Sequence, residues 1–153
     1  MTDVNDTLPA VTVKDRAGND LALGALKGPF VLYFYPKADT PGCTNEAKDF
    51  TELQGDFAKA GATVYGMSKD KPAKLAKFAD KYGLKVTLLS DEESDATEQM
   101  GAWVEKSMYG KKYMGIERCT FLIGKDGKVA RVWHNVKVKG HAAEVLEATK
   151  ALG

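Results

Sequence analysis

Residues 30–43 read FVLYFYPKADTPGC, and the organisation of the chain follows from them. The first six form an unbroken apolar and aromatic run. A strand with one buried face alternates polar and apolar side chains. One without alternation is covered on both faces, as in the parallel sheet of an α/β protein. Pro36 ends the run and opens a loop rich in Pro, Thr, Asp and Gly. Thr40 suits a helix N-cap and Pro41 the first helical position. Residues 44–60 then repeat Phe50, Leu53 and Phe57 at helical spacing, and Gly61 is a stop signal.

Working outward, residues 11–14 alternate, residues 16–20 (RAGND) carry turn chemistry and residues 21–23 return as a short strand. This is an N-terminal β-hairpin. Downstream, residues 63–67 form a second core strand. Residues 72–81 form a helix with Asp70 as its cap and Pro72 near its first position. Residues 86–89 are a third strand, residues 92–100 a helix, and residues 109–115 an extended loop or ribbon. Strands at 120–123 and 129–133 flank the turn Lys125-Asp126-Gly127. The last helix runs from about 140 to 152, with Val145, Leu146 and residues 148–152 on its inner face. Early β-α-β alternation requires parallel pairing with right-handed crossovers, and the late hairpin adds antiparallel strands. The expected fold class is α/β: a three-layer sandwich with a mixed central sheet, helices on both faces and the N-terminal hairpin. The thioredoxin-like architecture has this form, as do other three-layer sandwiches.

A chain of 153 residues points to one domain, 1–153, large enough to fold without a disulfide or metal. With 22 Lys+Arg against 21 Asp+Glu, the +1 balance offers no footprint for nucleic acid or an anionic membrane. No apolar run approaches the roughly 20 residues of a spanning helix, and residues 1–9 lack the basic and apolar regions of a signal peptide. A cytoplasmic protein is expected. The two cysteines, Cys43 and Cys119, make no C-x-x-C and no disulfide scaffold, so reduced thiols are the default.

Cys43 falls in the first turn of the helix after the core strand. Unpaired N–H groups and the positive end of the helix dipole favour a thiolate there, and the thiolate is the nucleophilic form of cysteine. The Thr40 hydroxyl is placed to donate to one substrate oxygen while accepting from another. The competing reading is an inert buried cysteine at an ordinary helix start.

Pro36, Thr40 and Cys43 match the P-x-x-x-T-x-x-C signature of peroxiredoxins, and Glu46 matches the acidic residue that often follows. The chain resembles the bacterioferritin comigratory protein, or peroxiredoxin Q, branch from about residue 8 to residue 152. The stretches carrying the resemblance include residues 33–50, Leu88-Leu89-Ser90-Asp91, Tyr109-Gly110-Lys111-Lys112 and residues 115–121 (GIERCTF). It implies a thioredoxin-like fold and a thiol-dependent peroxidase acting on hydrogen peroxide and small organic hydroperoxides. Cys43 would attack the O–O bond and become a sulfenic acid. Thr40 and Gly42 would bind the peroxide, Pro36 would shield the thiolate, and Arg118 would stabilise thiolate and transition-state charge. Glu46 would support them.

The resemblance also marks a departure. Many members of this branch carry a resolving cysteine five residues after the first, where this chain has Lys48, or on the next helix, where residues 70–83 contain none. Cys119 remains a weak resolving candidate, because adjacent side chains on a strand point to opposite faces. If Arg118 faces Cys43, Cys119 faces away. A one-Cys cycle is therefore expected, with an external reductant such as thioredoxin, glutaredoxin or glutathione. The branch is often monomeric, and a one-Cys member is also open to dimerisation. A redox sensor that passes its oxidation to a partner is the alternative function. A thiol-disulfide oxidoreductase would need a second cysteine near Cys43.

Other features offer less. His134 and His141 lack ligand spacing and are expected at the surface or as caps. Lys106, Lys111 and Lys112 are placed at the fringe of the site mouth. Tyr33, Phe34, Tyr35, Trp103 and Trp133 are assigned to core or pocket wall. There is no Walker or dinucleotide-binding loop, and nothing in this chemistry calls for a metal, haem, flavin or other cofactor.

Overall fold

In the computed structural model, which describes residues 2–152, the apolar run becomes β3 (Phe30–Phe34), with every side chain buried. It pairs in parallel with β4 (Thr63–Ser68) and antiparallel with β8 (Cys119–Ile123). β4 pairs in parallel with β5 (Thr87–Ser90), and β5 antiparallel with β1 (Thr12–Asp15). The N-terminal hairpin of β1 with β2 (Asp20–Ala22) makes one edge. β9 (Val129–Trp133) makes the other, giving the seven-stranded order β2-β1-β5-β4-β3-β8-β9. β6 (Trp103–Met108) and β7 (Lys111–Ile116) form a separate antiparallel ribbon. The expected ribbon is thus real, and it starts six residues earlier than the turn-rich sequence suggested.

Period-two alternation along β3 divides the core. Val31, Tyr33 and Tyr35 face a layer built on α1 (Pro41–Glu52), α2 (Gln54–Lys59), α3 (Pro72–Tyr82) and α5 (His141–Lys150), where Phe50, Phe57, Phe78 and Val145 pack. Phe30, Leu32 and Phe34 face the other layer with Leu89, Phe121, Ile123 and Ala96 of the single-turn α4 (Ala96–Gln99). Nearly all helical mass lies on the first face. Cys43 belongs to the first layer and Cys119 to the second.

Four sequence expectations are corrected. Asp70 does not cap α3: Pro72 at the first helical position makes Lys71 the N-cap, without a side-chain cap bond. The Asp70 carboxylate instead accepts the Ala38 N–H at 2.7 Å and the Ser68 hydroxyl at 2.8 Å, fastening the loop before Cys43 to the end of β4. The helix expected over 44–60 starts at Pro41 and breaks at Leu53, whose φ of −94° and ψ of 2° leave the helical range. Residues 92–95 stay outside α4 because buried Asp91 draws in the Ser94 hydroxyl and the Ala96 and Thr97 N–H groups, so the helix begins only there. In α5, Leu152 lies beyond the helix and is exposed, while His141 and Thr149 turn inward.

Among the described residues no helix is long and apolar enough to cross a membrane. Met1 and Gly153, the ends of the 1–153 span, lie outside the described residues.

Candidate active site

The site forms where β3 and β4 end and α1 begins, outside the carboxyl ends of parallel strands where open α/β sheets hold their ligands. The loop between them is tied at three points. Tyr35 N–H donates to Met67 O at 3.1 Å, and Ala38 N–H to Asp70. Asp39, at φ +63°, accepts the Tyr82 hydroxyl at 2.6 Å and Lys81 Nζ at 3.0 Å. The residue that closes the loop is Thr40, the N-cap of α1, with Pro41 next. Its hydroxyl makes no cap bond and donates to Lys37 O at 2.8 Å. The expected donation to a substrate is therefore already taken, and the oxygen's lone pairs remain.

Cys43 sits in the first turn of α1, 2% exposed. Arg118 immediately precedes β8, and the β3–β8 register, with Phe34 opposite Cys119, carries it over the start of α1. Its Nη2 lies 3.2 Å from Cys43 Sγ, and its Nη1 donates to Glu46 Oε1 at 2.6 Å. Gly42 makes room for this: a Cβ there would stand 3.3 Å from Arg118 Nη2. Val136 N–H donates to the Arg118 carbonyl at 2.9 Å, fixing the backbone behind the guanidinium. One planar cation thus bridges a thiol and a carboxylate three residues apart on one helix, the fork geometry that suits arginine over lysine.

Glu46 is 1% exposed, and burial pushes its carboxyl up to about 7 against the pull of Arg118. Its Oε2 and the buried Tyr33 hydroxyl have no hydrogen-bond partner among the described residues. Burial, reinforced by Glu46, holds Tyr33 as a neutral phenol. Its ring stacks on Phe50 and fits only because position 66 is glycine, where a Cβ would come within 2.7 Å.

Gly42, Cys43, Glu46 and Arg118 thus converge, with Thr40 at the N-cap of the same helix and Pro36 on the loop that leads to it. Cys119 does not. It lies in the opposite core layer, 1% exposed, and burial pushes its thiol up out of the reactive range. Lys48, at the position of the missing cysteine, packs its Nζ over the Tyr82 ring at 5.0 Å. Of the three fringe lysines, Lys106 shares a cavity with Pro36 and is held below its usual value by burial, while Lys111 and Lys112 are exposed on the ribbon. His141 corrects the surface expectation. It is buried between Phe50 and Trp133, bonds Thr120 Oγ1 at 2.8 Å, and burial lowers it to about 4. The described residues contain no group of three or more metal-ligating side chains. The Asp70 latch, Tyr33 and the Glu46–Arg118 bridge are tertiary features without a local signature.

A cysteine at a helix start, faced by an arginine at the entry to the neighbouring antiparallel strand of a thioredoxin-like sheet, fits a thiol-based peroxide reductase. The chain belongs to the AhpC/TSA family, whose model matches residues 4–132, and is a peroxiredoxin, a thiol-dependent peroxidase. It is 48% identical over 145 residues to the putative peroxiredoxin bcp of Coxiella burnetii, covering 94% of this chain and 96% of that protein. It is 45% identical over 146 residues to peroxiredoxin Bcp of Escherichia coli, covering 95% and 94%. A structure of a cysteine-to-serine mutant of Xanthomonas campestris peroxiredoxin Q superposes with a TM-score of 0.90 at 41% identity, covering 99% of this chain and 100% of that one. A structure of the X. campestris bacterioferritin comigratory protein, solved as a trapped intermediate/ligand complex to explain its alkyl peroxide reduction activity, gives 0.89 at 41%, covering 97% and 98%.

Proposed function

We propose that Cys43 is the peroxidatic nucleophile of a single-domain, one-Cys peroxiredoxin that reduces hydrogen peroxide and small organic hydroperoxides. The observation that carries this is the 3.2 Å contact of Arg118 Nη2 with Cys43 Sγ. The Cys43 thiolate attacks the nearer peroxide oxygen. An S–O bond forms, the O–O bond breaks, sulfur is oxidised to the sulfenic acid, and the leaving oxygen takes a proton to depart as water or an alcohol. Arg118 meets the negative charge that spreads from sulfur to the leaving oxygen, and Glu46 holds its guanidinium in place. The Thr40 hydroxyl, donating to Lys37 O, accepts the peroxide's O–H. Gly42 keeps the approach open, and Pro36 walls the thiolate from water.

The second half of the cycle needs a thiol from outside, because Cys119 lies across the sheet and position 48 is Lys. Thioredoxin, glutaredoxin and glutathione belong to the chemical class required. Two free cysteines support a reducing compartment, the cytoplasm, and a monomer suffices for this chemistry. Steady-state consumption of hydrogen peroxide and of tert-butyl hydroperoxide, with dithiothreitol as reductant, tests the reading. Continuous turnover of both is expected. A single stoichiometric oxidation without turnover would make the protein a sensor.

A further inference from the structure

A chain that cannot bring its own second thiol to Cys43 must be reduced at Cys43 itself, so its reductant has to dock at the mouth of that site. We infer that the β6–β7 ribbon and the lysines beside it are the docking surface for a protein dithiol with an apolar centre and an acidic rim. This rests on the one-Cys reading above.

Three observations carry it. First, the ribbon is a separate two-stranded element, and it holds four of the six exposed large hydrophobic residues among those described: Met108, Tyr109, Tyr113 and Met114. Exposed apolar side chains gathered on one element mark a contact surface, whereas scattered ones need no explanation. Second, the ribbon reaches the loop that leads to the site. Tyr113, Met114 and Lys106 line a cavity of about 390 Å³ together with Pro36 and Lys37, the loop leading to Cys43. The cavity shares Lys69 and Asp70 with a second hollow at the start of α3 that adds Lys71, Lys74, Lys77 and the exposed Glu92. Third, the charge is predominantly positive: the two hollows hold six lysines against two carboxylates, Asp70 and Glu92. Asp70 is occupied by Ala38, Ser68 and Lys74, and Lys69 is paired with Asp91 and Glu98. Lys37, Lys71, Lys77 and Lys106 have no carboxylate within ion-pair distance among the described residues.

An apolar patch rimmed by free ammonium groups matches a partner of opposite rim charge. A second copy of this chain does not fit, because a two-fold contact would set lysine against lysine. Once docked, the partner's thiolate attacks the Cys43 sulfenic sulfur. An S–S bond forms, the S–O bond breaks, and the oxygen leaves as water after taking a proton. The partner's second thiol then attacks its own sulfur in that bridge, releasing the Cys43 thiolate and leaving the partner as an internal disulfide.

The test compares turnover driven by thioredoxin, its reductase and NADPH with turnover driven by dithiothreitol, in wild type, Tyr113→Glu/Met114→Glu and the remote control Val4→Glu. The double variant should lose about tenfold or more in kcat/KM for thioredoxin, with dithiothreitol turnover and the peroxide oxidation step unchanged. Val4→Glu should match wild type, and only thioredoxin turnover should weaken with added salt. Equal turnover of both variants with thioredoxin would overturn the surface. So would failure of thioredoxin with wild type while dithiothreitol works, or glutathione matching thioredoxin and falling equally in the double variant, which would make the groove a small-thiol site. Dimers abolished by the double variant would overturn it in favour of a self-contact. Absence of any peroxide oxidation of wild-type Cys43 would instead sink the one-Cys reading beneath it.

Discussion

Cys43 and Cys119 are almost equally buried, one in the first turn of α1 and the other at the start of β8, yet their surroundings differ in kind. Cys119 points into a dry layer of Phe34, Phe121 and other apolar side chains, with no hydrogen-bond donor at its sulfur among the described residues. Cys43 occupies the first turn of a helix, with a guanidinium at 3.2 Å. Exposure therefore does not separate the two thiols. What separates them is whether charge on sulfur meets a donor already fixed in place, and Arg118 supplies that donor to one face only. The entry to β8 produces the asymmetry: Arg118, just before the strand, reaches Cys43, while Cys119, its first residue, is buried in the opposite layer.

That contrast can be attacked in four places. Cys43→Ser should lower peroxide consumption to the uncatalysed background, seen by stopped-flow loss of hydrogen peroxide. Arg118→Met should remove the feature that distinguishes the two cysteines and cost about a hundred- to a thousandfold in the second-order rate constant of Cys43 oxidation. Circular dichroism would confirm that the fold survives. Glu46→Gln keeps an oxygen for Arg118 and should cost far less in rate, but it should change the response to pH. The folded carboxyl titrates at about 7 against an ordinary 4.5, so between these values the native state holds a proton that the unfolded chain has released. Stability from this group is full below about pH 4.5, falls as pH rises to about 7, and is flat above. Glu46→Gln should flatten a slope worth on the order of 2 kcal/mol, read by urea denaturation at about pH 5 and about pH 8. Smallest of all, Cys119→Ser should leave Cys43 oxidation at the wild-type rate while lowering stability by about 1–3 kcal/mol for a buried hydroxyl without a partner.

Much of this is legible in the sequence. The apolar run 30–35 announces a doubly covered strand, and Thr40-Pro41 announces the helix start that holds Cys43, because strand burial and helix capping leave local marks. Pro36, Thr40 and Cys43 share one loop and one signature. Arg118 has no such local mark. It reaches Cys43 through the pairing of β3 with β8, and only the resemblance to peroxiredoxins singles it out. The Asp70 latch on Ala38 reads as a helix cap, since the sequence shows the aspartate before Pro72 and not the distant N–H that claims it. His141 reads as a surface residue because its cover, Phe50 and Trp133, comes from two other elements. Features settled by neighbours in sequence are readable, and those settled by neighbours in space are not.

The most direct test is intact-mass analysis of the fully reduced protein after one equivalent of hydrogen peroxide, followed by peptide mapping. The account predicts a gain of one oxygen located on Cys43, with Cys119 still a free thiol. Loss of two hydrogens in an intrachain Cys43–Cys119 disulfide would contradict it.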